Sequence, residues 1–220
     1  MRFLDLACAS LFLLASTAFA SPANPQDGAD YTTLARPQPV QAIGRQVEVL
    51  EFFMYHCPVC NGLESPFEDW VRRQGERILV RRVHFPSTGP NDPEARLFLS
   101  LEALGKLDEM HAKVFKAWHV DRVRLNKEET IVDWVSNNGV DRAKFLEAWN
   151  SFGVKARLRQ LSRMVDDYGV DSAPVLIIDG RFMTSPAIVN TGLKTDDRDA
   201  LFRATVQVAD ALVAKAAQSK

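Results

Sequence analysis

Val47-Glu48-Val49-Leu50-Glu51-Phe52-Phe53, followed after three residues by Cys57-Pro58-Val59-Cys60, sets the architecture of this 220-residue chain. The first run is β-branched and aromatic and reads as a buried strand. Beyond the cysteines, Leu63, Phe67, Trp70 and Val71 recur at helical spacing. The cysteine pair therefore lies where a strand ends and a helix begins. Pro66 falls inside that helix, and a kink is expected because its ring opposes the carbonyl four residues back. Ile78 to Phe85 reads as a second strand.

Outward from this unit the chain changes character. From about Pro93 to Gly169 nearly every apolar residue follows a helical period. Leu97, Leu101 and Leu104 form one stripe. Asn126 with Glu129 resembles a capping box for a helix carrying Ile131, Trp134 and Val135, which Gly139 can stop. Asp141 caps a short helix with Phe145 and Trp149. Val154, Leu158, Leu161, Val165 and Tyr168 make the last stripe, ending at Gly169. These side chains read as core. Pro174-Val175-Leu176-Ile177-Ile178 restores strand character, and Asp179-Gly180 signals a hairpin into Arg181-Phe182-Met183. After a loop holding Asp196 and Asp197, a final helix carries Leu201, Thr205, Val208 and Leu212. The expected organisation is an N-terminal arm at 21–45, an α/β domain at 46–88 and 168–220, and an all-helical insertion at 89–167.

Composition is that of an ordinary soluble protein, with 46% hydrophobic and 25% charged residues and a net charge of -1. Nothing in it points to nucleic acid or to an acidic membrane surface. Arg81-Arg82 is too short a basic run to alter that. Arg2, an apolar stretch from Leu6 to Phe19, and Ala18-Phe19-Ala20 read as a secretory signal at 1–20, cut before Ser21. The stretch is shorter than the ~20 residues that span a bilayer. Cys8 would leave with the signal, so of the three cysteines only Cys57 and Cys60 would remain. A pair so close in sequence closes too small a loop to constrain the unfolded chain, and in an oxidising compartment it reads as reactive.

Thiol–disulfide exchange needs one accessible cysteine with a depressed pKa. Cys57, at a helix start, meets unpaired backbone N–H groups and the positive end of the helix dipole. Pro58 suits the first helical position. Cys60, one turn in, is expected to be more buried and to act as the resolving thiol. Zinc is disfavoured: two sulfurs do not complete a tetrahedral set, and His56, His84, His111 and His119 have no finger-like spacing to them. No cofactor is required, because the redox equivalents reside in the sulfurs.

Val49-Leu50-Glu51-Phe52-Phe53, Cys57-Pro58-x-Cys60, Ala173-Pro174 before the late strand, and Tyr31-Thr32-Thr33-Leu34 in the arm together resemble the DsbA family of periplasmic oxidoreductases. The likeness spans the whole expected mature chain. It implies a thioredoxin-like domain with an inserted helical subdomain, and a periplasmic dithiol oxidase acting on reduced exported polypeptides. It also implies reoxidation by a quinone-linked membrane partner of the DsbB kind; the chain is expected to be a monomer and to bind no nucleic acid. Pro174 matches the family's cis-proline, which would leave the backbone of Ala173 free to pair with a substrate strand. Glu51 matches a buried acid beneath the active site, Glu64 a second acid on the first helix, and Arg82 the place of their basic partner. The chain departs from many members in carrying Val59 where they have His. An imidazolium there would favour the thiolate, so Val59 implies a weaker oxidant unless His56 compensates. A disulfide isomerase or reductase of the same fold, an oxidoreductase for one dedicated client, and a binding or chaperone-like module with vestigial cysteines are the competing readings.

Overall fold

The computed structural model describes residues 22–220; Cys8 and the expected signal segment lie outside them. Among the described residues, no helix is long and apolar enough to cross a membrane. Strand β1 (Thr32–Thr33) sits in the arm, and β2 (Val47–Phe53) leads through a short turn into α1 (Pro58–Gln74). A 3-10 turn then enters β3 (Ile78–His84). Five helices follow: α2 (Pro93–Ala103), α3 (Leu107–His119), α4 (Glu128–Asn137), α5 (Arg142–Asn150) and α6 (Phe152–Tyr168). The chain closes with β4 (Val175–Ile178), β5 (Phe182–Thr184), α7 (Pro186–Leu193) and α8 (Arg198–Ala217).

The strands form one sheet in the order β1-β5-β4-β2-β3, with β2 parallel to β3 and antiparallel to β4. Every residue of β2 is buried, because helices cover both faces of the sheet. Strand alternation divides the core accordingly. Val47, Val49, Leu176 and Ile178 pack with Leu63, Phe67 and Trp70 of α1 and with Phe202, Val208 and Leu212 of α8. Leu50, Phe52, Val175 and Ile177 pack with the helical insertion, and Cys57 and Cys60 belong to that second cluster. The insertion thus roofs the sheet face that holds the thiols. Gly62 lets α1 approach α8, since a β-carbon there would collide with the Phe202 ring.

Local chemistry explains most boundaries. Asp141 caps α5 by accepting the Lys144 N–H, and Gly169 ends α6 in the left-handed region at φ 64°. Asp179 and Gly180 both take positive φ, as a tight hairpin requires. Helix α1 continues through Pro66 to Gln74. Asn126 does not cap α4: the cap position is Lys127, which makes no side-chain cap, and Glu128 and Glu129 supply negative charge to the first turn instead. Residues 186–193, expected in a loop, form α7; Ser185 accepts the Ile188 N–H and Pro186 opens the helix. The arm is tied to the sheet edge, where Thr32 and Thr33 pair with Met183 and Phe182.

Candidate active site

Three residues, Met54-Tyr55-His56, carry the chain from β2 to α1, and Cys57 is the N-cap of that helix. Its Sγ accepts the Cys60 N–H at 3.3 Å, as a helix start demands of a capping acceptor. On its other side the thiol reaches the Ala173 carbonyl at 3.5 Å. The Ala173–Pro174 peptide bond is cis, and β4 begins at the next residue. The late strand and the cysteine helix therefore meet at one sulfur. Both cysteines are free thiols. Hydrogen bonds from the Cys60 side chain and from the backbone N–H groups of Cys60 and Val59 outweigh burial and hold the Cys57 thiol down at about 6. The His56 charge adds to this.

Cys60 is 1% exposed, against 8% for Cys57. Met54 donates its N–H to the Cys60 sulfur at 3.5 Å, but burial and then the charge and hydrogen bond of Cys57 push this thiol well above its ordinary value. The two sulfurs are thus unequal: one ionises readily and the other stays protonated.

Behind Cys60 lies a buried charge cluster built by strand register. The parallel pairing of β2 with β3 sets Glu51 opposite Arg82. Arg82 Nε donates to Glu51 Oε2 at 3.0 Å, and its Nη2 lies 3.5 Å from Glu64 and also binds Glu68. Three carboxylates share one guanidinium. Burial pushes Glu51 and Glu64 up to about 7, against the pull of Arg82. Glu64 also faces His111, whose Nε2 lies 3.2 Å from Glu64 Oε1 without aligned hydrogen-bond geometry. Burial and then the Arg82 charge hold that imidazole down at about 4, so it is neutral near pH 7.

A family model described as the DSBA-like thioredoxin domain matches residues 48–193. The thiol:disulfide interchange protein DsbA of Burkholderia cepacia is 36% identical over 190 residues, covering 86% of this chain and 90% of that one. The protein of the same name from Pseudomonas aeruginosa is 31% identical over 177 residues, 80% of this chain and 82% of the relative.

The chain belongs to the DsbA family.

A crystal structure of Pseudomonas aeruginosa DsbA superposes with a TM-score of 0.76 at 28% identity, covering 88% of this chain and 96% of that one. The oxidoreductase NmDsbA1 of Neisseria meningitidis gives 0.73 at 25% identity, covering 90% and 97%. The thioredoxin-like fold with a helical insertion is therefore the DsbA fold. Within it, the candidate site residues fall into two neighbouring groups, one at Cys57 and one behind Cys60. Cys57 caps α1, which Pro58, Val59 and Cys60 open, the Ala173 carbonyl before the cis-proline Pro174 reaches Cys57, and Glu51, Glu64 and Arg82 form one cluster.

His56 stands next to Cys57 and is anchored from the insertion. Its N–H donates to Glu94 Oε2 at 3.0 Å, and its Nδ1 lies 2.8 Å from Glu94 Oε1. The hydrogen bond to Glu94 raises the His56 pKa, and desolvation only partly opposes it. Glu94 is itself 6% exposed. Burial works against its charge, but bonds to His56 and His84 outweigh that and hold its pKa down. Sequence reading found neither Glu94 nor Glu68. Glu68 follows Glu64 at i+4 on α1, so helical periodicity would have placed both on one face. Glu94 carries no such signal, being 38 residues from His56.

Proposed function

We propose that this thiol:disulfide oxidoreductase works as a periplasmic dithiol oxidase, passing a Cys57–Cys60 disulfide to reduced exported polypeptides. A client thiolate attacks Cys57 Sγ, the bond to Cys60 breaks, and Cys60 leaves with the electron pair and takes up a proton. A second client thiolate then attacks the client sulfur of the mixed disulfide, and Cys57 leaves as a thiolate. The client loses two electrons, which remain on the enzyme as the dithiol. A quinone-linked membrane partner of the DsbB kind removes them. Export rests on the Ala18-Phe19-Ala20 pattern behind an apolar run.

The observation that carries the reading is the Cys57 sulfur at a helix N-terminus, facing the carbonyl before a cis-proline. A thiolate stabilised by the N–H groups of the helix start makes Cys57 a good leaving group and favours the reduced enzyme, which is the condition for giving a disulfide away. Glu51, held up at about 7, serves as the acid–base partner on the Cys60 side. Its pKa near neutrality lets it release a proton to the departing Cys60 and take one back on reoxidation. Arg82 keeps that carboxyl from rising further. Ala173 and Pro174 form the ledge on which the client backbone lies. The equilibrium reduction potential against a glutathione series tests the proposal. A value more oxidising than roughly -180 mV is expected; one near roughly -270 mV would assign the pair to reductase chemistry.

A further inference from the structure

The active-site loop is not symmetric in charge. From His56 and Pro58, the neighbours of Cys57, a cavity of about 280 Å³ opens toward the end of α3 and the loop after it. Trp118 and His119 wall it, Arg122 and Arg124 form its rim, and no carboxylate lines it. His119 is fixed by a 2.8 Å contact from Nε2 to the Tyr55 carbonyl, which joins this wall to the turn before Cys57. Arg122 and Arg124 are exposed and, among the described residues, pair with no acid. Asp121, next to Arg122 in the chain, binds Lys116 at 2.6 Å, and Glu94 is buried against His56. Arg122 also holds φ at +60°, which a β-carbon disfavours. On the opposite side, Arg198 donates to the Pro58 carbonyl at 3.1 Å, but Asp196, Asp197 and Asp199 surround it in sequence. The cavity lined by basic and aromatic side chains without a carboxylate therefore lies on the α3–α4 side of Cys57.

We propose that this basic groove selects client segments carrying acidic side chains on one flank of the reacting cysteine; the inference rests on the oxidase reading above. A client cysteine at Cys57 places residues two to four positions away at roughly 7 to 13 Å in an extended chain, within reach of the groove. Rim charges of this kind orient and accelerate encounter more than they add affinity. The groove thus sets which clients are oxidised first, and the chemistry at the sulfurs is unchanged.

Dithiol peptides in three versions test this: neutral flanks, an acidic pair before the first cysteine, and an acidic pair after it. An acidic neighbour also raises the peptide thiol pKa and slows it intrinsically. The informative quantity is therefore the acidic-to-neutral ratio of oxidation rates, compared between wild type and the Arg122→Asn/Arg124→Ser variant. For one placement this ratio is expected to fall roughly three- to tenfold in the variant at low ionic strength, with the difference shrinking as salt is added. Arg122→Lys/Arg124→Lys is expected to keep the wild-type ratio. Equal ratios in wild type and the neutralised variant at both placements would overturn the selection. Failure of the wild type to oxidise any of the three peptides would instead remove the oxidase reading beneath it.

Discussion

Cys57 and Cys60 share one turn of α1, yet what stands behind them is opposite in kind. Cys57 caps the helix, accepts an N–H at 3.3 Å and has His56 beside it. Cys60 points inward, where a single N–H at 3.5 Å meets its sulfur and the Glu51 charge raises its pKa further. A Cys-x-x-Cys tetrapeptide does not carry this asymmetry by itself. Strand β2 and the turn after it impose it, by setting a carboxylate behind the inner sulfur and an imidazole beside the outer one. The insertion completes it, since Glu94 of α2 holds that imidazole in place. The lesson is that a thioredoxin-like frame supplies the helix start, while the strand and the insertion polarise the pair.

Serine at either position breaks the comparison most sharply. Cys57→Ser is expected to lower exchange with a disulfide substrate at least roughly a thousandfold, because a hydroxyl is not ionised near neutral pH. Cys60→Ser is expected to keep rapid alkylation of Cys57 by iodoacetamide and to collect covalent client adducts on non-reducing gels, since the resolving thiol is gone. Equal alkylation rates in the two variants would mean that the pair is not polarised as described.

The dependence of stability on pH separates the two environments without mutation. Cys57 titrates at about 6 in the fold against an ordinary 9.0. Between those values the unfolded chain binds more protons than the native one, so the stability of the reduced enzyme rises with pH, at a slope approaching about 1.4 kcal/mol per unit. The gain is lost as pH falls through 6. Glu51 and Glu64 act in the opposite direction: raised from 4.5 to about 7, they contribute stability that is present below 4.5 and lost as pH climbs through 7. Those carboxylates remain in both redox forms, whereas the Cys57 thiol exists only in the reduced one. Urea midpoints of reduced and oxidised enzyme, taken from pH 6 to 8, below the ordinary thiol value at which the raised Cys60 begins to oppose the trend, should therefore diverge in favour of the reduced form. A constant difference across that window would place the stabilised thiolate elsewhere.

Which parts of this could be read in the sequence follows from how local their causes are. The strand, the cysteines, Pro58 at the helix start and the Asp179-Gly180 hairpin depend on neighbours within a few residues, and the sequence displays them. Helix α7 had a local signal in Ser185 and Pro186, but the polar run after Val189 hides its apolar face. Arg81-Arg82 is only a short basic run in the sequence until the parallel register of β2 and β3 sets the pair beside buried acids: Arg81 reaches Glu48 at 3.3 Å, and Arg82 reaches Glu51. Only the resemblance to the family suggested Arg82 in that place. Glu94 had no sequence signal, because its partner lies across the junction between sheet and insertion.

The smallest expected effect bears on how this chain manages without a histidine inside its motif. Val59 offers no charge, while His56, raised by its bond to Glu94, offers one from the other side of Cys57. If that substitution of position works, Glu94→Gln should release His56 toward its ordinary pKa and let the Cys57 thiol rise by a fraction of a unit, comparable to one exposed charge contact of about 0.5 kcal/mol. Val59→His should move the thiol down, adding a second imidazole, and shift the potential in the oxidising direction by roughly tens of millivolts, since ~30 mV corresponds to ~1.4 kcal/mol for two electrons. Thiolate absorbance near 240 nm against pH should then rank the Cys57 pKa as Val59→His, wild type, Glu94→Gln, from lowest to highest. An unshifted Glu94→Gln would show that the helix start and the Cys60 hydrogen bonds hold the thiolate alone, with His56 serving only to pin the turn to the insertion.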